Sequence, residues 1–354
     1  MSHSRFTRWM RWLAYLMFLC AVLEIATRFL VDRGWIARLL QGDYDPAWRW
    51  EWYERHLHTG TNIYYGFDAF DPVLGWKLQP NLRNAPMYDG KQVNSNSRGL
   101  RGTSEYRYTK DPSGRLRVLV IGDSYTFGDG LDDHETYAAQ LGPRMPGAEV
   151  INMGIHGYGH DQILLYFQRE GFKYHPDIVV LGFVYYDLDR NLLGFRDYAK
   201  PHFNLTDDKL LPDTTYIPAP EDMMDKIRER SYFLDLLTII REKTESRMGW
   251  RQERKEELGR ALLNKLADEI IATGAKPVFV YIPTGEEIFD PRRSENWENF
   301  FLRFAGHRKD VACFSLRDAL RQKKNQLKFN GHWGPQTNGF IADSLAVELG
   351  KLVR

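Results

Sequence analysis

Ser124 is the residue of this sequence best placed to act as a nucleophile. It follows the apolar run LRVLVI of residues 116–121 through Gly122 and Asp123, in a tight turn that leads to a helix. A hydroxyl at the carboxyl end of a parallel strand lies where open α/β sheets form their ligand crevices. Such a serine can attack an ester carbonyl if a base takes its proton and fixed donors stabilise the oxyanion. The pattern is not the G-x-S-x-G elbow, because Thr126 occupies the place of the last glycine, so the common α/β-hydrolase interpretation fails.

The elements that must position Ser124 alternate along the chain. Apolar strand-like runs lie at residues 116–121, 148–152, 177–184, 276–283 and 311–316. Helical patterns cover residues 132–145, a stretch from 161, 221–272, 290–306 and 337–352. Strands that alternate with helices predict a parallel sheet with helices on both faces, and nearly all-apolar strands are typical of a sheet covered on both sides.

Four segments, in order along the chain, resemble the sequence blocks of the SGNH, or GDSL, hydrolase family. They are residues 122–124 (GDS), 152–159 (NMGIHGYG), 181–187 (LGFVYYD) and 330–333 (NGHW). The resemblance covers about residues 70–354. The lead-in pieces DPVLGWKLQP and NSNSRGLRG, together with an apolar amino-terminal segment, resemble a membrane-tethered bacterial branch of the family.

This resemblance implies a fold, a chemistry and a set of roles. The fold is a flavodoxin-like three-layer α/β/α domain with a parallel sheet, and the chemistry is hydrolysis of esters without a cofactor, often of acyl groups on carbohydrates. Ser124 corresponds to the nucleophile and His332 to the catalytic base, while the amides of Ser124 and Gly157 correspond to oxyanion donors. Hydrolysis and acyl transfer share the same acyl-enzyme step, so these residues fit both reactions.

Two positions depart from the family pattern. Tyr186 stands where the family has an asparagine whose side chain donates to the oxyanion, and a phenol has a longer reach and a different geometry. Asn330 stands where we expect the acidic residue that orients the histidine. An amide can orient an imidazole but does not stabilise the imidazolium by charge, and a Ser-His-Asp triad that loses its Asp loses about 10⁴ in kcat.

Three interpretations follow from these departures. A Ser124–His332 dyad could act on an activated or tightly held acyl donor. Asp187 or Asp189 could supply the missing carboxylate through the fold. In the third interpretation the chain is a catalytically weakened SGNH-fold binding or assembly protein. The first two predict a serine esterase or acyltransferase for acyl groups, O-acetyl above all, on cell-envelope or exported carbohydrate.

Other chemistries have less support. His156, His160 and Asp161 lie in and beside a Gly-rich turn without a regular helix to fix their angles, so we expect a loop that lines the crevice and no metal site. The glycines after the first strand fit neither phosphate-binding pattern. Cys20 and Cys313 exclude a disulfide framework and a Cys-based zinc site. A net charge of +1 gives no overall field toward nucleic acid, and we expect no cofactor and no nucleic-acid partner.

The amino terminus predicts a membrane anchor. Residues 12–31 are apolar except for Glu24 and Arg28, and about 20 such residues cross a bilayer as a helix. Three arginines precede the run: Arg5, Arg8 and Arg11. By the positive-inside tendency, the amino terminus is cytoplasmic and the rest extracytoplasmic, which is periplasmic in a Gram-negative cell. Glu24 and Arg28 can pair at i, i+4; the alternative is an amphipathic helix on the membrane or on the domain.

The segment that follows holds several aromatic residues, Trp48, Trp50, Trp52 and Tyr53. They predict either an aromatic belt at the lipid headgroups or a buried aromatic cluster. The expected domains are a cytoplasmic amino terminus at 1–11, a transmembrane signal anchor at 12–31, a juxtamembrane and lead-in segment at 32–110, and an SGNH hydrolase-like domain at 111–354 with an insertion at about 192–272.

Overall fold

The apolar amino-terminal run forms one long helix, α1 (His3–Asp32), in the computed structural model. The structure describes residues 3–34, 42–59, 66–110, 112, 114–213, 216–290 and 295–353. Within them, one helical stretch, Phe6–Asp32, is long and apolar enough to cross a membrane. Residues 6–22 of α1 are exposed on all sides, whereas Thr27 is buried against the rest of the chain. The last turns of α1 therefore pack on the domain, although they belong to the same candidate span, Phe6–Asp32.

The lead-in segment consists of one helix and short hairpins. Its elements are α2 (Asp45–Thr59), β1 (Asp68–Asp71), β2 (Gly75–Leu78), β3 (Ala85–Pro86), a 3₁₀ turn (Tyr88–Gly90) and β4 (Gln92–Val93). Trp52 is fully buried and stacks on His56 at 4.3 Å between ring centroids. Trp50 is also buried and stacks on Tyr232 at 5.1 Å. The aromatic cluster is thus part of the folded domain, and the expectation of a membrane-interface belt is wrong for these two residues.

The rest of the chain alternates between strands and helices as the sequence predicts. Up to the middle of the chain the elements are β5 (Leu116–Gly122), α3 (Ser124–Phe127), α4 (Tyr137–Arg144), β6 (Ala148–Asn152), α5 (His160–Arg169), β7 (Ile178–Phe183), α6 (Asp187–Arg190), β8 (Phe195–Arg196), β9 (Tyr198–Ala199), β10 (His202–Thr206) and β11 (Lys209–Asp213). They are followed by α7 (Pro220–Arg228), α8 (Tyr232–Arg247), α9 (Trp250–Ala272), β12 (Lys276–Tyr281), α10 (Gly285–Phe289), α11 (Glu295–His307), β13 (Ala312–Ser315), α12 (Arg317–Gln322), β14 (Phe329–Asn330), β15 (His332–Trp333) and α13 (Pro335–Val353).

Five of these strands form a single parallel sheet in the order β13-β12-β7-β5-β6. The chain leaves β5 for β6 on one side and then crosses to β7 on the other side of β5. The direction of winding therefore reverses at β5, and open α/β sheets place their ligand crevice at the carboxyl ends of the strands at such a point. Ser124 follows β5 directly, so it lies at the mouth of this crevice.

Alternate residues of the buried strands face two separate cores. Leu119 and Leu181 pack in the core that includes side chains of α5, α9 and α11. Val120 and Val180 pack in the core that includes side chains of α4, α12 and α13. Because the sheet is covered on both faces, its strands carry apolar residues on both sides. The predicted three-layer α/β/α architecture is confirmed.

Two helical predictions need correction in detail. The helix predicted over residues 132–145 is a 3₁₀ turn, Asp133–Glu135, followed by α4, because the Thr136 side chain caps the new helix at the Ala139 amide. The charged stretch 221–272 contains three helices, α7, α8 and α9. The last of these buries Leu262 and Leu266 in the core of the sheet domain, while β8 to β11 form two hairpins.

Candidate active site

The turn between β5 and α3 fixes the position of Ser124. Asp123 is the N-cap of α3, and its carboxylate accepts a hydrogen bond from the Tyr125 amide at 3.0 Å. Gly122 allows the turn to close, since a Cβ there would lie 2.1 Å from Thr126 Oγ1 and 3.0 Å from the Gly182 carbonyl oxygen. The tightness of this turn holds the Ser124 hydroxyl at the end of β5.

His332 reaches Ser124 from the far end of the chain. Its Nε2 lies 2.8 Å from Ser124 Oγ, and its ring packs against the Tyr125 ring at 5.0 Å between centroids. His332 begins β15, one strand of a short hairpin that turns at Gly331, where φ is +71°. The neighbouring Trp333 is buried and donates from its indole nitrogen to the Pro283 carbonyl at 2.7 Å, which anchors the hairpin. A nucleophile and a base are therefore within hydrogen-bond distance.

The Ser124 hydroxyl has a second neighbour in the Asp123 carboxylate, at 3.3 Å from Oδ2. Arg190 donates to Asp123 Oδ2 at 2.9 Å, to Asp187 Oδ1 at 2.6 Å and to the Tyr158 carbonyl at 3.0 Å. Both carboxylates are fully buried. Burial raises the pKa of Asp187 well above its usual value, and the neighbouring Asp123 charge raises it further. The nucleophile thus rests on a buried, cross-linked network of charges.

None of the three residues predicted to orient the histidine contacts it. Asn330 is exposed and forms no hydrogen bond with the His332 ring. Asp187 binds Arg190, and Asp189 binds Lys255 at 2.9 Å. Across the described residues, the His332 ring has Ser124 Oγ as its hydrogen-bond partner, and no carboxylate reaches Nδ1.

Asp129 is a carboxylate that the motif comparison missed. Its Oδ2 lies 3.9 Å from His332 Nε2, the same nitrogen that contacts Ser124. The residue is 6% exposed, and its Oδ1 is buried without a hydrogen-bond partner among the described residues. The Asp129 amide donates to the Ser124 carbonyl at 3.0 Å, so the loop that closes α3 carries it. Its position five residues after Ser124, in the same turn, is the signal that could have identified it.

The turn after β6 is hydrogen-bonded to the turn that carries Ser124. The Ile155 amide donates to the Gly122 carbonyl at 3.1 Å, and the Asn152 side chain donates to the Thr126 carbonyl at 2.9 Å. Gly157 has φ +74°, and a Cβ there would collide with the Asp197 carboxylate at 2.1 Å. Among the described residues, neither the Ser124 amide nor the Gly157 amide donates a hydrogen bond to another backbone group outside the regular elements.

Tyr186, the third predicted oxyanion donor, is directed to another partner. Its hydroxyl donates to Glu286 Oε2 at 2.5 Å, and its ring meets Trp297 edge-on at 5.1 Å. The phenol therefore lies at the rim of the site, where its proton is already shared with a carboxylate.

The residues of the possible metal trio have separate partners. His156 Nε2 contacts Asp68 at 2.8 Å, His160 stacks on Phe183, and Asp161 pairs with Lys200. Burial lowers the pKa of His160 to about 3, so its imidazole is neutral. No cluster of His, Cys, Asp or Glu able to hold a metal ion is found in the described ranges.

Comparison with known proteins gives structural matches only. No family model matches the chain, and neither does any curated protein. The psychrotrophic esterase EstA from Pseudoalteromonas sp., in a structure inhibited by monoethylphosphonate, is similar over 67% of this chain and 98% of its own, with 14% identity and a TM-score of 0.40. A GDSL-like lipase from Bacteroides thetaiotaomicron is similar over 68% of this chain and 90% of its own, with 14% identity and a TM-score of 0.39.

These likenesses concern the fold alone, and the family resemblance of the four motifs stands on the chain itself. In this chain the resemblance depends on its own parallel sheet and on the meeting of residues 122–124 and 330–333 at one edge of that sheet.

Proposed function

We propose that this chain is a serine ester hydrolase or acyltransferase of the SGNH/GDSL type. The observation that supports this function is the 2.8 Å contact between Ser124 Oγ and His332 Nε2. The two residues are 208 positions apart, and the fold brings them together at the crevice of the sheet. Two independent structural roles, a turn serine and a surface histidine, do not require this contact.

The first half-reaction acylates Ser124. As Ser124 Oγ attacks the acyl carbonyl carbon, Nε2 of His332 takes the hydroxyl proton. The amides of Ser124 and Gly157 donate to the oxyanion, where loss of one donor typically costs about 2.7–4 kcal/mol. When the carbonyl re-forms, the ester C–O bond breaks, and His332 returns the proton to the leaving alcohol oxygen.

The second half-reaction removes the acyl group. His332 takes a proton from water, or from the hydroxyl of an acceptor, and the resulting oxygen nucleophile attacks the acyl carbon. Collapse of this intermediate returns the proton to Ser124 Oγ. Water gives hydrolysis and an acceptor hydroxyl gives transfer, so the choice depends on which of them the crevice admits.

Asp129 provides the charge that Asn330 lacks. During each half-reaction His332 is an imidazolium, and a carboxylate about 4 Å away stabilises it by about 1–4 kcal/mol, depending on the effective dielectric constant. In a standard triad the acid binds Nδ1. Here Asp129 acts from the Nε2 side and gives electrostatic support without fixing the ring through a hydrogen bond.

A short acyl group on an exported carbohydrate is the substrate that we propose. The hollow beside Ser124 and His332 is lined in part by Tyr125, Leu131 and Trp333, and a short acyl group such as O-acetyl is the one that we propose it takes. With α1 as the anchor and the amino terminus in the cytoplasm, the crevice faces the extracytoplasmic side, where envelope and exported polymers lie.

The test is labelling of the full chain in detergent with a fluorophosphonate probe. Wild type is expected to be labelled, while Ser124→Ala and His332→Ala are not. Ser344→Ala and His307→Ala serve as matched controls, because Ser344 and His307 bind backbone carbonyls of α13 and α11 and should leave labelling unchanged. Equal labelling of wild type and Ser124→Ala would contradict the assignment.

The second candidate function is a non-hydrolytic binding or assembly protein; it is favoured because no carboxylate of the described residues bonds His332 Nδ1. This function predicts no labelling of the folded wild type. Labelling of the wild type, together with faster release of acetate than of butyrate from p-nitrophenyl esters, supports the acyl-transfer chemistry instead.

A further inference from the structure

Helix α8 carries exposed apolar side chains along one face. Leu234, Leu237 and Ile240 are 61%, 44% and 43% exposed. At 100° per residue these three lie within one 120° sector, and the buried residues Tyr232 and Ile239 lie on the other side of the helix. A helix that is apolar on two opposite faces needs a second apolar neighbour besides the domain core.

The amino-terminal end of α8 is bonded to α1. Glu24 of α1 accepts hydrogen bonds from Ser231 Oγ at 2.7 Å and from the amides of Tyr232 and Phe233, each at 3.0 Å. A carboxylate at the amino-terminal end of a helix satisfies its unpaired amides and is favoured by the helix dipole. Glu24 therefore acts as a cap for α8 that is supplied by the anchor helix.

Arg28 adds a second link between the two helices. It pairs with Glu24 at 2.7 Å, donates to the Arg230 carbonyl at 2.8 Å and lies 4.3 Å from the centre of the Tyr232 ring. The two charges that are unfavourable in an apolar helix are thus neutralised by each other and by the start of α8. This arrangement fixes α8 at one height along α1.

The point on α1 to which α8 is bonded lies within the anchor. For a span of residues 12–31, Glu24 is seven residues from the outer end, which corresponds to roughly 10 Å along the helix axis. The interfacial zone into which amphipathic helices insert is about 5–10 Å deep. The first turns of α8, bonded to Glu24, are therefore held at the level of the outer lipid boundary.

We propose that α8 is a second membrane-contacting element, with Leu234, Leu237 and Ile240 inserted into the outer interface of the bilayer beside α1. This inference depends on α1 crossing the membrane and extends the proposed function, because it sets how the crevice is presented. Arg241 lies on the same face, pairs with Glu245 at 3.7 Å and is 66% exposed by its side chain, so its long stem lets the guanidinium extend toward the phosphates. With two contacts instead of one, the domain cannot rotate freely about α1, and the Ser124 crevice is kept at a fixed orientation to the surface.

The test uses the full chain in lipid vesicles, with an environment-sensitive NBD label on a single cysteine. In a Cys20→Ala, Cys313→Ala background, Leu237→Cys is the test site. Leu16→Cys, in α1, is the positive control, and Val347→Cys is the matched control, since Val347 is 60% exposed on α13. We expect the label at 237 to be quenched by shallow doxyl lipids and shielded from aqueous iodide, as at 16, whereas the label at 347 is quenched by iodide only.

Each of the other outcomes contradicts the proposal for α8. A label at 237 that behaves like that at 347, while 16 remains quenched by lipid, overturns the role of α8 and leaves the anchor intact. A label at 237 shielded from both quenchers shows a protein neighbour, such as a second copy of the chain, and also overturns it. Loss of lipid quenching at 16 overturns both the anchor and the contact. None of these results depends on esterase activity, so the proposed function is tested separately.

Discussion

Two groups contact the Ser124 hydroxyl, and the molecule holds them in opposite ways. Asp123 belongs to the same turn, is fully buried and shares Arg190 with Asp187. His332 lies on a two-residue strand of a hairpin, and its side chain is 30% exposed, with Ser124 as its hydrogen-bond partner among the described residues. We call the Asp123 side the cross-linked side, because ion pairs through Arg190 join its two carboxylates. We call the His332 side the open side, because the imidazole is partly exposed.

The two sides have different tasks in the proposed function: the Asp123 side positions Ser124, and the His332 side takes part in the reaction. A network of buried, paired charges has few alternative arrangements, so it fixes the serine precisely. The base must face the crevice, because the proton it carries has to reach the leaving group. Among the described residues the open side also lacks a carboxylate at His332 Nδ1, and the proposed activity therefore depends on the charge of Asp129.

Removing the base should have the largest effect. His332→Ala is expected to lower kcat/KM by about 10⁴-fold or more, because the nucleophile and base act as a unit. The measurement is hydrolysis of p-nitrophenyl acetate, with His307→Ala as the control. A decrease of less than tenfold would mean that another group, with Asp123 as the nearest, takes the Ser124 proton.

Breaking the cross-linked side should affect folding more than chemistry. Arg190→Met leaves Asp123 and Asp187 without their shared partner, and losing one member of a buried ion pair costs about 3–5 kcal/mol. The check is urea unfolding in detergent. Arg254→Met, which removes a half-exposed pair with Glu245, should change the unfolding free energy by about 1 kcal/mol or less. Equal effects of the two variants would show that the network is not the support described here.

The sequence predicts the sheet and the meeting of Ser124 with His332, but not the side chains that support either residue. Apolar runs identify the strands of the sheet, and the motif order brings Ser124 and His332 together. Asp129 was not predicted: it lies only five residues after Ser124, but its 3.9 Å distance from His332 depends on how the loop after α3 packs. Asn330, two residues before His332, was expected to orient it, but the tight turn at Gly331 leaves its side chain exposed.

The surroundings of Trp50 and Trp52 were not predictable from the sequence for the same reason. Trp50 and Trp52 are equally suited to lipid headgroups and to a protein core, since both environments favour large amphipathic rings. Their burial is decided by α8, β8 and β9, which are far away in sequence. Local pattern therefore identified the cluster but not its surroundings.

Removing the charge of Asp129 tests the open side of the site through its effect on the rate of catalysis. Asp129→Asn keeps the shape and removes the charge, so we expect kcat/KM to fall roughly ten- to a hundredfold, as a carboxylate about 4 Å from the imidazolium is lost. Asp343→Asn, at an exposed pair with Arg144, is the control. An unchanged rate in Asp129→Asn would contradict the electrostatic role of this carboxylate.

Asp187 gives a prediction for stability against pH. Burial and the nearby Asp123 charge raise its pKa well above the ordinary value of 3.8, so the folded chain holds this proton more tightly than the unfolded chain. The resulting stability is complete below about pH 4 and is lost as pH rises through the folded pKa, by up to about 1.4 kcal/mol per pH unit. Asp187→Asn, which mimics the protonated acid, should flatten this decline in urea unfolding measured from pH 4 to 7. An unchanged slope would place the proton elsewhere in the network.

The smallest effect is expected at the rim, where Tyr186 stands in place of the family's asparagine. If its hydroxyl donated to the oxyanion, Tyr186→Phe would cost about 10²–10³ in kcat. The hydroxyl instead donates to Glu286 at 2.5 Å, so we expect kcat to change by only about twofold, within the range of an exposed interaction. Glu286→Gln, which weakens the same contact from the other partner, should match it. A hundredfold loss in Tyr186→Phe alone would mean that the phenol leaves Glu286 when substrate binds, and that the open side of the site is completed only in the complex.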